Sequence, residues 1–143
     1  MAGVWAALLV AAAAHADGPT SGSLAVTVVG VRSDVGQACV ALYDSADAFP
    51  KAGRERKSSC AAISGGRAVV AFADLPPGDY AVCAFHDEDG DRALKTNWIG
   101  MPKEGVGTSR GAKGFMGPPK FDDAKIAVKA GAPTEIRISL KYL

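Results

Sequence analysis

The stretch FHDEDGDRALKTN, residues 85–97, sets Asp87, Asp89 and Asp91 at alternate positions directly after a run that reads as a buried strand. Alternate residues in a tight turn can aim three carboxylates at one point, and calcium is a hard cation that takes six to eight oxygens. Like charges held that close repel one another unless a cation sits among them. The turn therefore reads as a calcium site, as a solvated polar turn, or as an ion-pair cluster with Arg92 and Lys95. Asn97, a backbone carbonyl near Ala93, or Glu104 from further along the chain can supply the remaining oxygens.

His86, which immediately precedes the turn, is the only histidine left once the first 16 residues are removed, so multi-histidine zinc sites are excluded. It shares strand parity with Tyr80 and Val82, pointing inward, where a neutral ring bonded to a loop carbonyl is the plain expectation and a ligand-binding or proton-transfer role is the alternative. Cys83 falls on the opposite face of the same strand, so the two form no local nucleophile–base pair. No G-x-S-x-G and no phosphate-binding loop occurs. Residues 105–114, GVGTSRGAKG, offer hydroxyls and positive charge among glycines, but without a following helix they read as a rim rather than as an anion cradle.

Composition narrows the classes further. Residues 1–16, MAGVWAALLVAAAAHA, are almost wholly apolar and end in an A-x-A site before Asp17, the shape of a signal peptide. The run is shorter than the roughly 20 residues a membrane helix needs, and no other stretch can span a bilayer. The chain then reads as a signal peptide (1–16), a short linker (17–23) and one domain (24–143), exported to the periplasm or beyond. Sixteen basic and fifteen acidic side chains give a net charge of +1, which does not indicate nucleic acid as a partner. The charge is local: residues 51–57 carry three net positives and residues 87–91 four negatives, both expected to be solvated. Cys39, Cys60 and Cys83 imply one disulfide and one leftover thiol in an oxidising compartment. Parity allows Cys39 with Cys83, Cys39 with Cys60 is the rival, and the sequence leaves both open.

The elements that must position these residues are strands. Residues 24–31, 36–43, 67–73, 79–86, 125–130 and 134–142 alternate with period two, and 58–63 supplies a weaker seventh. Turn-formers separate them, including Ser64-Gly65-Gly66 and Leu75-Pro76-Pro77-Gly78. Short strands at this spacing predict an all-β fold, an antiparallel β-sandwich of about seven strands. Val26, Val28, Val40, Leu42, Val70, Phe72, Tyr80, Val82, Ile126, Val128, Ile136, Ile138 and Leu140 share one face of their strands and form the expected core. Tyr80 is expected to fold under the Leu75–Gly78 corner as a packing device. Residues 92–120 run without a clear strand and hold six glycines from Gly100 to Gly117. Trp98, Ile99, Met101, Phe115, Met116 and Phe121 would anchor this excursion as an ordered flap. In GPPKFDD, residues 117–123, Phe121 is expected to plug a hole in the core, with Asp122 and Asp123 bonding the turn backbone.

The order and spacing of LPPGDYAVCAFHDEDGD, TNWIGMPKEGVGTSRG and GFMGPPKFDDAKIAV resemble the DUF2141 family of exported bacterial proteins, over about Leu24 to Leu143. The resemblance implies a transthyretin-like or carboxypeptidase-regulatory-like sandwich with no established activity. The family turn reads like HDENGNGKLDTN, similar to the opening of an EF-hand loop with oxygens at its first, third, fifth and ninth positions. Here Asp87, Asp89 and Asp91 keep the first three and Leu94 the aliphatic position, whereas Arg92 replaces the glycine, Lys95 takes the ninth and Trp98 the twelfth.

The expectation is a non-enzymatic, exported β-sandwich binding module. Its ligand would be a cation such as calcium, a glycan or an envelope protein, met by Asp87, Asp89 and Asp91 with His86, Asn97 and Glu104. Alternatives are an assembly subunit of the cell envelope that uses exposed sheet edges, and a hydrolase built on the carboxylates.

Overall fold

The structure is a computed structural model that describes residues 20–90, 104–114 and 117–142. The signal-peptide reading of residues 1–16, together with Asp91, Asn97, Trp98, Ile99, Met101, Phe115 and Met116, lies outside the described residues.

The fold is all-β, with two facing sheets. β1 (Gly22–Val29), β2 (Gln37–Tyr43), β3 (Lys57–Ala62), β4 (Ala68–Leu75) and β5 (Gly78–Asp87) are followed by a short β6 (Val106–Thr108). A 3-10 turn (Ser109–Gly111), a single helical turn α1 (Phe121–Ala124), β7 (Ile126–Val128) and β8 (Pro133–Ser139) complete the chain. One sheet has the order β4-β1-β8; the other runs β3-β2-β5-β6, with β7 also on β5. Among the described residues no helix is long and apolar enough to cross a membrane.

The core follows the alternation. Leu24, Val26 and Val28 of β1, with Val70 and Phe72 of β4 beside them in the same sheet, face Val40 and Leu42 of β2 and Tyr80 and Val82 of β5, all buried, with Val128, Ile138 and Leu140 closing the group. Each such side chain contributes roughly 1.5–3 kcal/mol on burial. Ile126 and Ile136, expected inside, are only partly buried. Tyr80 tucks under its corner and its hydroxyl donates to the Pro76 carbonyl.

Several expectations change. β1 starts at Gly22, inside the stretch read as linker, because it pairs there with Leu75 and Pro133 on either side. Pairing is antiparallel except that β8 runs parallel to β1 over Ser23–Val29. The chain leaves β7 in one sheet, crosses at residues 129–132 and enters the other sheet in the direction of β1, and period-two patterning carries no sign of direction. The stretch read as strandless contains β6, held on β5 at Cys83, Ala84 and Phe85. Three residues with a central glycine are too few to show alternation. Gly107 is required there, since a Cβ would lie 2.6 Å from Ile138 Cγ2 and 2.7 Å from the Ser139 carbonyl oxygen.

The disulfide is Cys39–Cys60. Cys39 stands directly opposite Cys60 in the β2–β3 register, whereas Cys83 stands opposite Ala41, one diagonal step away, and remains a free thiol. The parity that placed Cys83 on the outer face holds. There it packs in a second apolar cluster of Tyr43, Ala48, Phe49, Ala81 and Ala124, with Phe121 and Ala112 against it. Phe121 thus plugs this outer cluster rather than the central core, and Asp122 pairs with Lys125.

Candidate functional site

Period two divides the end of β5 between two surroundings. His86 points into the sandwich and Asp87 to the outer face, and both are fully buried. His86 Nε2 lies 2.6 Å from the Val35 carbonyl oxygen and Nδ1 lies 2.7 Å from Tyr142 Oη. A carbonyl only accepts, so the neutral ring carries its proton on Nε2 and accepts from the tyrosine hydroxyl at Nδ1. Tyr142 Oη in turn accepts from the Arg32 N–H, and the Arg32 guanidinium lies 4.8 Å over the tyrosine ring while pairing with Glu88. Burial raises the pKa of Tyr142, so its hydroxyl stays protonated and donating. Both nitrogens of His86 are thus engaged inside the fold, in the loop-carbonyl arrangement expected of a packing histidine, and the ring stands apart from the acidic group.

The acidic group is assembled from two segments. Asp87 Oδ2 accepts a hydrogen bond from Gln37 Nε2 at 2.8 Å. The same oxygen lies 3.9 Å from Cys39 Sγ; a disulfide sulfur has no proton to give, so this is packing. The loop before β2 is pressed onto the strand end: Gly36 has φ +83°, and a Cβ on it would sit 2.2 Å from the Asp87 carbonyl oxygen. The chain then turns through Glu88 and Asp89 to Gly90, whose φ is +76°.

Glu104 arrives from the other side. The His86 N–H donates to the Gly105 carbonyl at 2.9 Å, extending the β5–β6 ladder by one step. Gly105 lets the flap come this close, because a Cβ would lie 2.5 Å from the Tyr142 ring. Glu104 is thereby buried against the turn, and its Oε2 accepts from the Glu88 N–H at 3.1 Å. One carboxylate oxygen from each of Asp87, Asp89 and Glu104 lies within 4.8 Å of the others. Calcium–oxygen distances are about 2.3–2.6 Å, so oxygens across one ion are at most roughly 5 Å apart, and the three fit one coordination sphere. Asp87 and Glu104 are buried and Asp89 is exposed, which leaves the group open on one side. A depression of about 370 Å³ lined by Gly36, Gln37, Ala62 and Gly90 adjoins it.

Of the residues named from sequence, the structure thus brings together Asp87, Asp89 and Glu104. Asp91 and Asn97 lie outside the described residues. Gln37, Gly105 and Tyr142 were not named as site residues. Gln37 precedes an alternating apolar run and Tyr142 ends one, and neither pattern says which strand end lies beside which loop.

The chain's residues 26–137 match the model of the family described as an uncharacterized protein conserved in bacteria, DUF2141. It belongs to that family. No curated protein and no solved structure matches the chain. The family's description names no ligand or reaction.

Proposed function

We propose that the protein is an exported, non-enzymatic binding module whose acidic mouth, at the end of β5, takes a calcium ion. The observation that carries this reading is the convergence of Asp87, Asp89 and Glu104 oxygens, within 4.8 Å, from a strand end and a distant flap. An all-oxygen donor set suits a hard cation, and water or further chain oxygens fill the remaining positions. Two of the three donors are fixed by burial and hydrogen bonds to Gln37 and the Glu88 N–H, so little ordering is left for the ion to impose. Export is supported by the apolar N-terminal stretch and by the disulfide, which persists in oxidising compartments.

The test is thermal unfolding of the chelator-treated protein with and without millimolar calcium, alongside metal analysis. Binding to the folded state alone stabilises by about 2.7 kcal/mol when the ion stands at 100 times Kd. Asp89→Asn is expected to abolish the calcium shift, because it removes one of the three converging carboxylates. Unchanged melting in millimolar calcium, with no metal carried through purification, ends this reading.

A further inference from the structure

Residues 104–112 lie along β5 as a strap, and what holds them differs along their length. At one end Ser109 is buried: its Oγ accepts from the Val82 N–H at 2.9 Å and donates to the Ala124 carbonyl at 2.6 Å. At the other end Glu104 is buried in the acidic mouth, with one carboxylate oxygen within 4.8 Å of oxygens of Asp87 and Asp89. Between these anchors stands β6, three residues long, partly buried throughout and with glycine at its centre. Its Val106 exchanges hydrogen bonds with Lys141. A ladder this short, with no large side chain fully buried, belongs to the low-stability end of a fold and can open while the sheets stay intact.

Backbone direction sorts the amides of β5 by what covers them. The Val82 N–H donates to Ser109, the His86 N–H to the Gly105 carbonyl, and Ala84 between them stands opposite Gly107. Direction alternates along a strand, so these even positions bond the strap, whereas Ala81, Cys83 and Phe85 turn their N–H groups to β2. Lifting the strap frees the first set and leaves the second in its ladder.

We propose that calcium in the mouth is the fastener of this strap: with the ion bound, residues 104–109 stay on β5, and without it they open locally while the two sheets remain folded. The inference rests on the calcium reading of the mouth and adds what the ion does there. Asp87 and Asp89 belong to the end of β5 and the turn after it, and of the three converging carboxylates Glu104 alone comes from the strap. The strap therefore cannot lift without taking Glu104 off the ion. A ligand that binds only the closed form multiplies the closing equilibrium by 1 + [Ca]/Kd. The coupling is reciprocal, so whatever loosens the strap lowers the affinity for calcium by the same factor. Because the strap continues through Ser109 to Ala112, which packs on the outer apolar layer, the ion at the mouth also steadies one edge of that cover.

The test is residue-resolved amide hydrogen exchange on the protein purified from full-chain expression and treated with chelator, without calcium and with calcium at about 100 times the Kd found by melting titration. In the ion-free protein Val82, Ala84 and His86 should exchange faster than Ala81, Cys83 and Phe85. Low urea should leave the faster set unchanged, since a local opening exposes little surface. Calcium should slow the even positions by up to about 100-fold and bring them toward the rate of their odd neighbours. Asp89→Asn should lose this protection together with the melting shift. Even and odd amides equally protected without the ion, even positions that calcium slows by less than about twofold, or protection that survives Asp89→Asn would each overturn the inference. Where calcium still raises the melting temperature, such a failure leaves the cation site standing; no melting shift ends both.

Discussion

The outer faces of the two sheets are built from similar residues and meet opposite fates. On the five-stranded sheet Tyr43, Ala81 and Cys83 lie beneath Ala48 and Phe49 from the loop after β2, and Phe121, Ala112 and Ala124 from the flap. The rings meet edge to face, with centroids 5.4 Å apart for Tyr43–Phe49 and 6.2 Å for Phe49–Phe121. On the three-stranded sheet Val69, Ala71 and Ala73 of β4 stay exposed, with Val69 at 53%, although β4 is as apolar on its outward side as β2. Strand composition therefore does not decide which face is covered; the supply of a covering segment does. The cover falls on the sheet whose β5 carries Asp87, and the same flap supplies Glu104, so one excursion both seals the second apolar layer and completes the acidic mouth.

The largest effect should come from the cover itself. Phe49 is buried beside Tyr43 and Phe121, and Phe49→Ala is expected to cost about 3–5 kcal/mol in denaturant unfolding. It should also make Cys83 react faster with a thiol reagent under native conditions than it does in the wild-type protein. A cost below about 1 kcal/mol would mean that the second layer contributes little and that the two faces differ in appearance alone. Next comes reduction of Cys39–Cys60, whose sequence separation is 21 residues. Chain-entropy arguments put the loss at about 3 kcal/mol. Because Cys39 packs on Asp87, reduction should weaken the calcium-induced melting shift as well. A calcium response unchanged by reduction would separate the mouth from the sheet beneath it.

How far such a site can be read in advance depends on the range of the contact. Local periodicity puts Val26, Val40, Val70 and Val82 inside and gives His86 the inward parity of Tyr80 and Val82, because a strand's faces follow from neighbours in sequence; Asp87, read as part of the turn, belongs to β5 as its last residue. The alternate aspartates were equally visible. Pairing was not: Cys39 faces Cys60 rather than Cys83 through a register that no single strand encodes. Glu104 could be named as one candidate among several, but its arrival depends on Gly105 fitting against Tyr142, a contact between residues 37 apart in sequence. The parallel course of β8 was hidden for the same reason, since direction is a property of the connection.

A smaller effect is expected at alkaline pH, again on the covered side. Burial pushes the Cys83 thiol up from 9.0 to about 12, and burial likewise raises Tyr43, with Cys83 and Glu55 adding to it. In both cases the folded state favours the protonated form, so between pH 9 and 12 the unfolded chain holds fewer protons and stability falls as pH rises. The contribution is fully present below pH 9. Cys83→Ala should flatten part of this fall in unfolding measured across pH 8–11, roughly the range over which the unfolded thiol ionises. An unaltered slope would show that Cys83 is not sealed in solution, and with it the covered face.

The smallest effect belongs to the bare face and puts the comparison at greatest risk. Val69→Thr keeps the branched side chain that suits a strand and exchanges a methyl for a hydroxyl at a position 53% exposed. Such a surface change should alter unfolding free energy by no more than about 0.5 kcal/mol and leave the calcium response intact. A loss of 1 kcal/mol or more, growing with protein concentration, would place Val69 inside an interface, since a hydroxyl is costly only where water has been excluded. In that event the three-stranded sheet would be covered too, by another molecule rather than by its own chain.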